Sequence, residues 1–155
     1  MTLTEIERIS EQLKRAFEGG AWHGPSVKEV LEGVTAEKAA ARPLPSTHSI
    51  WELVLHIAVW EDAVKRWVSG DSKDVPDEAN WPKIKDTSEA AWKKTLENLE
   101  KGHLELRQTL ARLSDGELDK VLKHPKPTVY DLLHGAIQHD LYHAGQIAVL
   151  KKGAK

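Results

Sequence analysis

The stretch Thr128–Lys151, TVYDLLHGAIQHDLYHAGQIAVLK, decides the fold class of this chain. It contains no proline, and Asp131 and Asp140 are its only carboxylates. Its apolar residues recur at spacings of three and four, which predicts a long α-helix. A helix without a wet face is buried on several sides. We therefore expect this helix to lie at the centre of a helical assembly, or to pack also against a second copy of the chain as a homodimer.

Three more long helices are predicted upstream by the same periodicity. They run from about Leu3 to Glu18, from Ser49 to Ser69 and from Thr87 to Leu113. Ser49-Ile-Trp-Glu52 matches a capping box, in which the hydroxyl and the carboxylate satisfy free amides at a helix start. Shorter helices are predicted over residues 25–31, 35–41 and 114–117. Asp71–Asp86 is predicted to be a polar loop, with Trp81 in its middle.

The predicted fold is therefore all-α, because no segment alternates apolar and polar residues as a strand would. Four long amphipathic helices within 155 residues indicate one domain, spanning residues 1–155, with the architecture of a four-helix bundle.

Composition excludes several classes of function. The formal net charge is −2, so the sequence lacks the strong basic excess typical of nucleic-acid binding. It has no apolar run long enough to span a membrane and no secretory signal, which predicts a cytoplasmic protein. The absence of cysteine rules out disulfides, thiolate metal ligands and a cysteine nucleophile.

The motif His139-Asp-Leu-Tyr-His143 places two imidazoles one turn apart on the same helix face. Two histidines in this arrangement can bind one metal ion. The motif differs from the zinc-protease helix because none of the residues after His143 is His, Asp or Glu. A third protein ligand would therefore have to come from upstream.

His56 is the upstream histidine that the helix periodicity selects. It shares its face with Leu53, Trp60 and Ala63, a stripe that points inward. A single inward histidine is more often a hydrogen-bonded core residue than a ligand. The pair on the fourth long helix and a third inward histidine on the second favour a metal site. Three protein ligands leave positions open for water or substrate, which is typical of a catalytic site.

These residues resemble the DinB-like superfamily of metal-dependent four-helix bundles. The resemblance lies in Ser49–Trp60, SIWELVLHIAVW, and in His139–Ile147, HDLYHAGQI. It implies a bundle with a long crossover connection, and His56, His139 and His143 as ligands of one divalent ion, zinc or nickel. Dimers are common in the family. Characterised members include transferases that use a low-molecular-weight thiol such as bacillithiol or mycothiol.

The favoured functional hypothesis is a metal-dependent thiol transferase that conjugates a small-molecule substrate in detoxification or stress response. The absence of cysteine fits, because the reactive sulfur would belong to the cosubstrate. A metal-dependent hydrolase would use the same residues, with water in place of the thiol. A non-catalytic, stress-related binding or scaffold protein remains the alternative from another class.

Other residues are assigned with both a functional and a structural alternative. Glu52 is a weak candidate for the catalytic base, and its capping role explains it without chemistry. Trp60 and Gln146 are expected near the metal. Trp22 and His23 either close over the cavity or anchor a loop.

Two polar residues are expected to lie away from the site. His103 is expected to be solvated because its helix stretch is highly charged. Asp140 is expected to face away from the metal, about 100° around the helix from His139. A carboxylate is expected to bind the far ring nitrogen of a ligand histidine, but the sequence does not identify it.

Overall fold

The computed structural model of the protein describes residues 2–154. In chain order its helices are α1 (Glu5–Glu18), α2 (Val27–Leu31), α3 (Ala36–Ala40), α4 (Ile50–Val68), α5 (Asp77–Asn80), α6 (Glu89–Leu110) and α7 (Val129–Gly153), with a 3-10 turn at Asp115–Glu117 between the last two. The prediction of an all-α fold with four long helices is confirmed.

Side-chain caps fix where the four long helices begin. Thr4, Ser49, Ser88 and Thr128 each precede a long helix, and each side-chain oxygen accepts a hydrogen bond from an amide three residues later. Such a cap satisfies one of the amides that a helix start leaves unpaired, and typically contributes about 1 kcal/mol. The capping box predicted at Ser49 and Glu52 is confirmed.

The four long helices form a bundle in which α1 and α4 stand at opposite corners. Both of these helices pack against α6 and α7. The chain therefore crosses the bundle between its first and second long helices, through α2 and α3. This is the long crossover connection that the resemblance implied, and it places α4 beside α7.

The apolar core has two parts, separated along the bundle axis. One part surrounds Trp51 and Trp92 and includes α2 and α3. The other surrounds Trp67, Leu106 and Leu133. Fully burying one such side chain stabilises the fold by about 1.5–3 kcal/mol. Five polar residues described below lie in the helix segments between the two parts: Glu61, His103, His139, Asp140 and His143.

Two details of the chain differ from the sequence predictions. The polar loop before α6 contains the one-turn helix α5. Before α7, Val121 and Thr128 form an isolated antiparallel bridge. Both differences fall in segments without apolar periodicity, where the sequence carried no signal for them. No helix within residues 2–154 is long and apolar enough to cross a membrane.

The outward face of α7 is the surface on which the predicted homodimer can be tested. Gln138, Tyr142, Gly145 and Val149 follow one another on this face and are exposed. Tyr142 is 66% exposed and Val149 is 61% exposed. In the single chain, α7 thus has a solvent-exposed face, and part of that face is apolar.

If this face is the dimer interface, Val149→Glu should yield monomers, because it would bury an unpaired charge between the subunits. Size-exclusion chromatography with light scattering measures the result. Val121→Glu is the matched control, since Val121 is 64% exposed and lies outside the long helices. A wild-type chain that is monomeric at micromolar concentration would contradict the homodimer prediction.

Candidate metal centre

Three imidazoles meet where α4 and α7 pack together. His56 comes from the middle of α4, and His139 and His143 lie one turn apart on α7. The Nε2 atom of His139 is 3.1 Å from Nε2 of His56 and 3.0 Å from Nε2 of His143. The Nε2 atoms of all three histidines therefore converge on one point between α4 and α7.

Hydrogen bonds on the far side of two rings fix which nitrogen carries the proton. His56 Nδ1 is 2.9 Å from the backbone oxygen of Asn80, and His143 Nδ1 is 2.6 Å from Oε1 of Gln146. An amide oxygen only accepts hydrogen bonds, so both Nδ1 atoms donate. In the neutral rings, Nε2 of His56 and of His143 is then an unprotonated lone pair facing His139.

A cation fits this arrangement better than a hydrogen bond does. If Nε2 of His139 is protonated, its single hydrogen can point at only one of the two facing lone pairs, and if it is not protonated, both short contacts set one lone pair against another. A divalent ion at about 2.0–2.1 Å from each nitrogen would satisfy all three. The donor set and its outer hydrogen bonds thus match a metal centre.

The electrostatics of the site keep the three rings neutral. Burial is the main cause that lowers the pKa of His56, His139 and His143, and for His139 the pKa falls to about 3. Charges on neighbouring histidines lower these values further. Neutral imidazole is the form that binds a metal ion, so the site is ready for binding at neutral pH.

Aromatic rings form the wall beside His56. The Trp81 ring stacks on His56 with a centroid distance of 3.9 Å, and His48 stacks on Trp81 at 3.5 Å. Trp60, which was predicted to lie near the metal, is 5.9 Å from His139 between ring centroids, and its Nε1 donates to Oδ1 of Asn80.

The sequence reasoning missed the contributions of His48, Asn80 and Trp81 to this site. Asn80 ends α5 and holds both His56 and Trp60, so the polar loop closes one side of the histidine cluster. A large aromatic residue inside an otherwise polar loop was the one available signal.

A cavity of about 670 Å³ opens beside His143. Gln146, predicted to lie near the metal, is part of its wall together with Tyr142, His48 and Trp81. Leu44, Leu53, Val149 and Leu150 supply apolar surface. A ligand in this cavity would therefore contact one of the three histidines.

The remaining predicted site residues lie elsewhere or serve other contacts. Glu52 caps α4 and accepts two hydrogen bonds from Arg42 Nη2, at 2.6 and 2.7 Å. Trp22 is fully exposed and His23 is also exposed. Neither contributes to the wall of the cavity beside His143.

Two expectations about polar residues were wrong. His103 is 2% exposed, and its Nδ1 lies 2.8 Å from Oε1 of Glu61. Asp140 lies apart from the three-histidine group, as its position around the helix predicts; it is fully buried near Glu61 and His103. The outer partners of His56 and His143 are amide oxygens, where a carboxylate was expected. Amide oxygens fix the ring tautomer equally well without adding a second buried charge.

The model of one protein family, described as the DinB superfamily, matches residues 10–147 of the chain. The chain belongs to the DinB superfamily. Among solved structures, it is similar to "Crystal structure of the conserved protein of locus from Enterococcus faecalis", with a TM-score of 0.70 and 22% identity. That similarity covers 99% of this chain and 98% of the other, and it supports the fold. No curated protein matches.

Membership of the DinB superfamily agrees with the histidine cluster found in the structure. Members are typically metal-binding, and the superfamily includes metal-dependent enzymes. Within residues 2–154, His56, His139 and His143 form a group whose three ring nitrogens could hold such an ion.

Gln146→Ala tests whether the outer hydrogen bond prepares His143 for binding. We expect the affinity for Zn²⁺ to fall about 10–100-fold, because His143 loses the acceptor that fixes its tautomer. Competition with a chromogenic chelator measures the affinity. Gln138→Ala is the matched control, because Gln138 is exposed on the same helix. Equal affinities of Gln146→Ala and the wild type would show that Gln146 does not orient His143.

Proposed function

We propose that this DinB protein is a metal-dependent enzyme that transfers a low-molecular-weight thiol to an electrophilic small molecule. The observation that carries the proposal is the cavity of about 670 Å³ whose wall includes His143. A purely structural metal site is closed by four protein ligands, whereas a catalytic site keeps a position open. A cluster of three histidines, one of which lines an open cavity, corresponds to the second type.

The composition of the chain is compatible with a thiol cosubstrate. The 155 residues include no cysteine, so in a thiol transfer the reactive sulfur would come with a substrate. A divalent ion bound by the histidines would lower the pKa of a coordinated thiol or water and so supply a nucleophile at neutral pH. Bacillithiol and mycothiol are the thiols to which the family resemblance points.

The residues of the chain would then orient and shield the reactants. His56, His139 and His143 would hold the ion, with Asn80 and Gln146 fixing two of the rings. The apolar part of the cavity would bind the carbon skeleton of the acceptor and exclude water from it. In the transfer, the sulfur forms a bond to the acceptor carbon, the leaving group departs with its electron pair, and the thiol proton passes to solvent.

The metal part of the proposal is tested with Ni²⁺, which imidazole ligands suit. At about 100 times its dissociation constant, a bound ion stabilises a fold by about 2.7 kcal/mol. For a chain of this size, the melting temperature should rise by roughly 5–10 °C. His56→Ala should show a smaller rise than the wild type, whereas His134→Ala, on α7 outside the cluster, should keep the full rise. An unchanged melting temperature of the wild type would refute the histidine site.

The transfer reaction is tested with a panel of thiols, including bacillithiol and mycothiol, and a chromogenic aryl halide as acceptor. We expect conjugation that requires added metal and that falls at least about 100-fold in His56→Ala, since the nucleophile is no longer generated. Exposed Gln138→Ala serves as the control.

Absence of metal-dependent conjugation with every thiol would overturn the transferase proposal. If the same protein cleaved ester or amide substrates with added metal, the hydrolase alternative would replace it. If it bound metal but catalysed neither reaction, the non-catalytic alternative would stand.

A further inference from the structure

A second polar cluster lies at the centre of the bundle, and the histidine centre does not use it. Glu61 of α4, His103 of α6 and Asp140 of α7 are each at most 2% exposed. Each offers one oxygen or nitrogen atom, and these three atoms lie within 4.8 Å of one another. Phe17 of α1 stacks on the His103 ring with a centroid distance of 3.8 Å. All four long helices therefore meet at this cluster.

The cluster lacks the hydrogen bonds that a purely structural polar network would have. Glu61 and His103 share one bond, between Oε1 and Nδ1. Within residues 2–154, however, both carboxyl oxygens of Asp140, Oε2 of Glu61 and Nε2 of His103 are buried without a hydrogen-bond partner. Each such atom costs about 1–3 kcal/mol, and native proteins rarely tolerate several together.

The charges of the cluster indicate what kind of partner is needed. Burial raises the pKa of Glu61 to about 8, and a carboxyl oxygen of Asp140 lies within 4.8 Å of one of Glu61. When one of the two carboxyls is protonated it can donate a hydrogen bond to the other. Within residues 2–154, neither carboxyl forms an ion pair with a lysine or an arginine. Arg107, one turn beyond His103, donates instead to Glu18 at 2.9 Å. One divalent cation would neutralise both carboxylates.

We propose that Glu61, His103 and Asp140 form a second metal-binding site, distinct from the three-histidine centre. Two carboxylates and one imidazole make a harder donor set than three imidazoles do, so the site favours Mn²⁺ or Fe²⁺. Bundle cores commonly hold metals through carboxylates and histidines projecting inward from facing helices. On binding, the ion replaces the Glu61–His103 hydrogen bond, and the carboxyls bind the ion as carboxylates.

A second cavity provides a route to this site. It has a volume of about 270 Å³, and its wall includes Glu61 and Asp140. His139 and Trp60 are also part of this wall. The cavity therefore reaches both metal sites, whereas the larger cavity beside His143 is lined by neither carboxylate.

The test uses Mn²⁺ and the His56→Ala variant, which removes a ligand of the histidine centre. Electron paramagnetic resonance of free Mn²⁺ measures binding, and elemental analysis measures stoichiometry. We expect His56→Ala to bind one Mn²⁺ per chain. His56→Ala/Glu61→Gln should bind it at least about 100-fold more weakly. His56→Ala/Glu105→Gln should match His56→Ala, because Glu105 is a surface carboxylate paired with Lys65.

A second variant keeps the proposal falsifiable if Glu61→Gln does not fold, as judged by circular dichroism. His103→Gln, also in the His56→Ala background, should likewise lose at least about 100-fold in Mn²⁺ affinity. Folded His56→Ala protein that binds no Mn²⁺ or Fe²⁺ would overturn the proposal and leave a hydrated polar network only. The proposal would equally be overturned if both ligand variants bound Mn²⁺ as tightly as His56→Ala does. Neither result depends on whether the chain transfers thiols.

Discussion

The structure depends on burying a layer of ionisable side chains between two apolar clusters. Along α4, the residues of one apolar cluster end at Ile57, and those of the other begin at Ala63. On α6, His103 lies between Leu99 and Leu106, which belong to different clusters. Glu61, His103 and Asp140 therefore lie at one level between the two clusters, and His56 adjoins them beside Ile57 at the edge of the first cluster. The apolar side chains on either side exclude water from this layer. Polar atoms that lose water in this way need a partner inside the protein.

The three-histidine group and the Glu61–His103–Asp140 cluster differ in how their polar atoms find such partners. His56 and His143 each donate one ring hydrogen to an amide oxygen, so their remaining lone pairs converge on His139. Glu61 and Asp140 have no such support, and three of their four carboxyl oxygens lack a hydrogen bond. Helix geometry explains the division on α7, where adjacent residues project about 100° apart. His139 can thus face α4 and the histidines while Asp140 faces Glu61 and the centre.

The sequence predicted the parts of the site that follow helix periodicity. His56, His139 and His143 stood on apolar stripes, and the structure brings their Nε2 atoms together. Asn80 and Trp81 could not be found in this way, because the segment before α6 has no periodicity and its position depends on tertiary contacts. His103 was assigned wrongly from its charged sequence neighbours. Its spacing from Leu99, Leu106 and Leu110 places it on the buried face, and that spacing was the better signal.

The buried polar atoms that lack hydrogen-bond partners connect the stability of this fold to its capacity to bind cations. An apolar replacement of similar volume would remove the desolvation cost of each buried carboxyl or imidazole, so these groups do not improve the stability of the metal-free chain. An ion bound at the proposed sites would offset this cost in the folded form, in which helices from different parts of the sequence hold the ligands together. Metal binding and folding are then coupled, and each ion stabilises the folded state according to its free concentration. The folded conformation is then the one in which the buried polar side chains are positioned to bind cations.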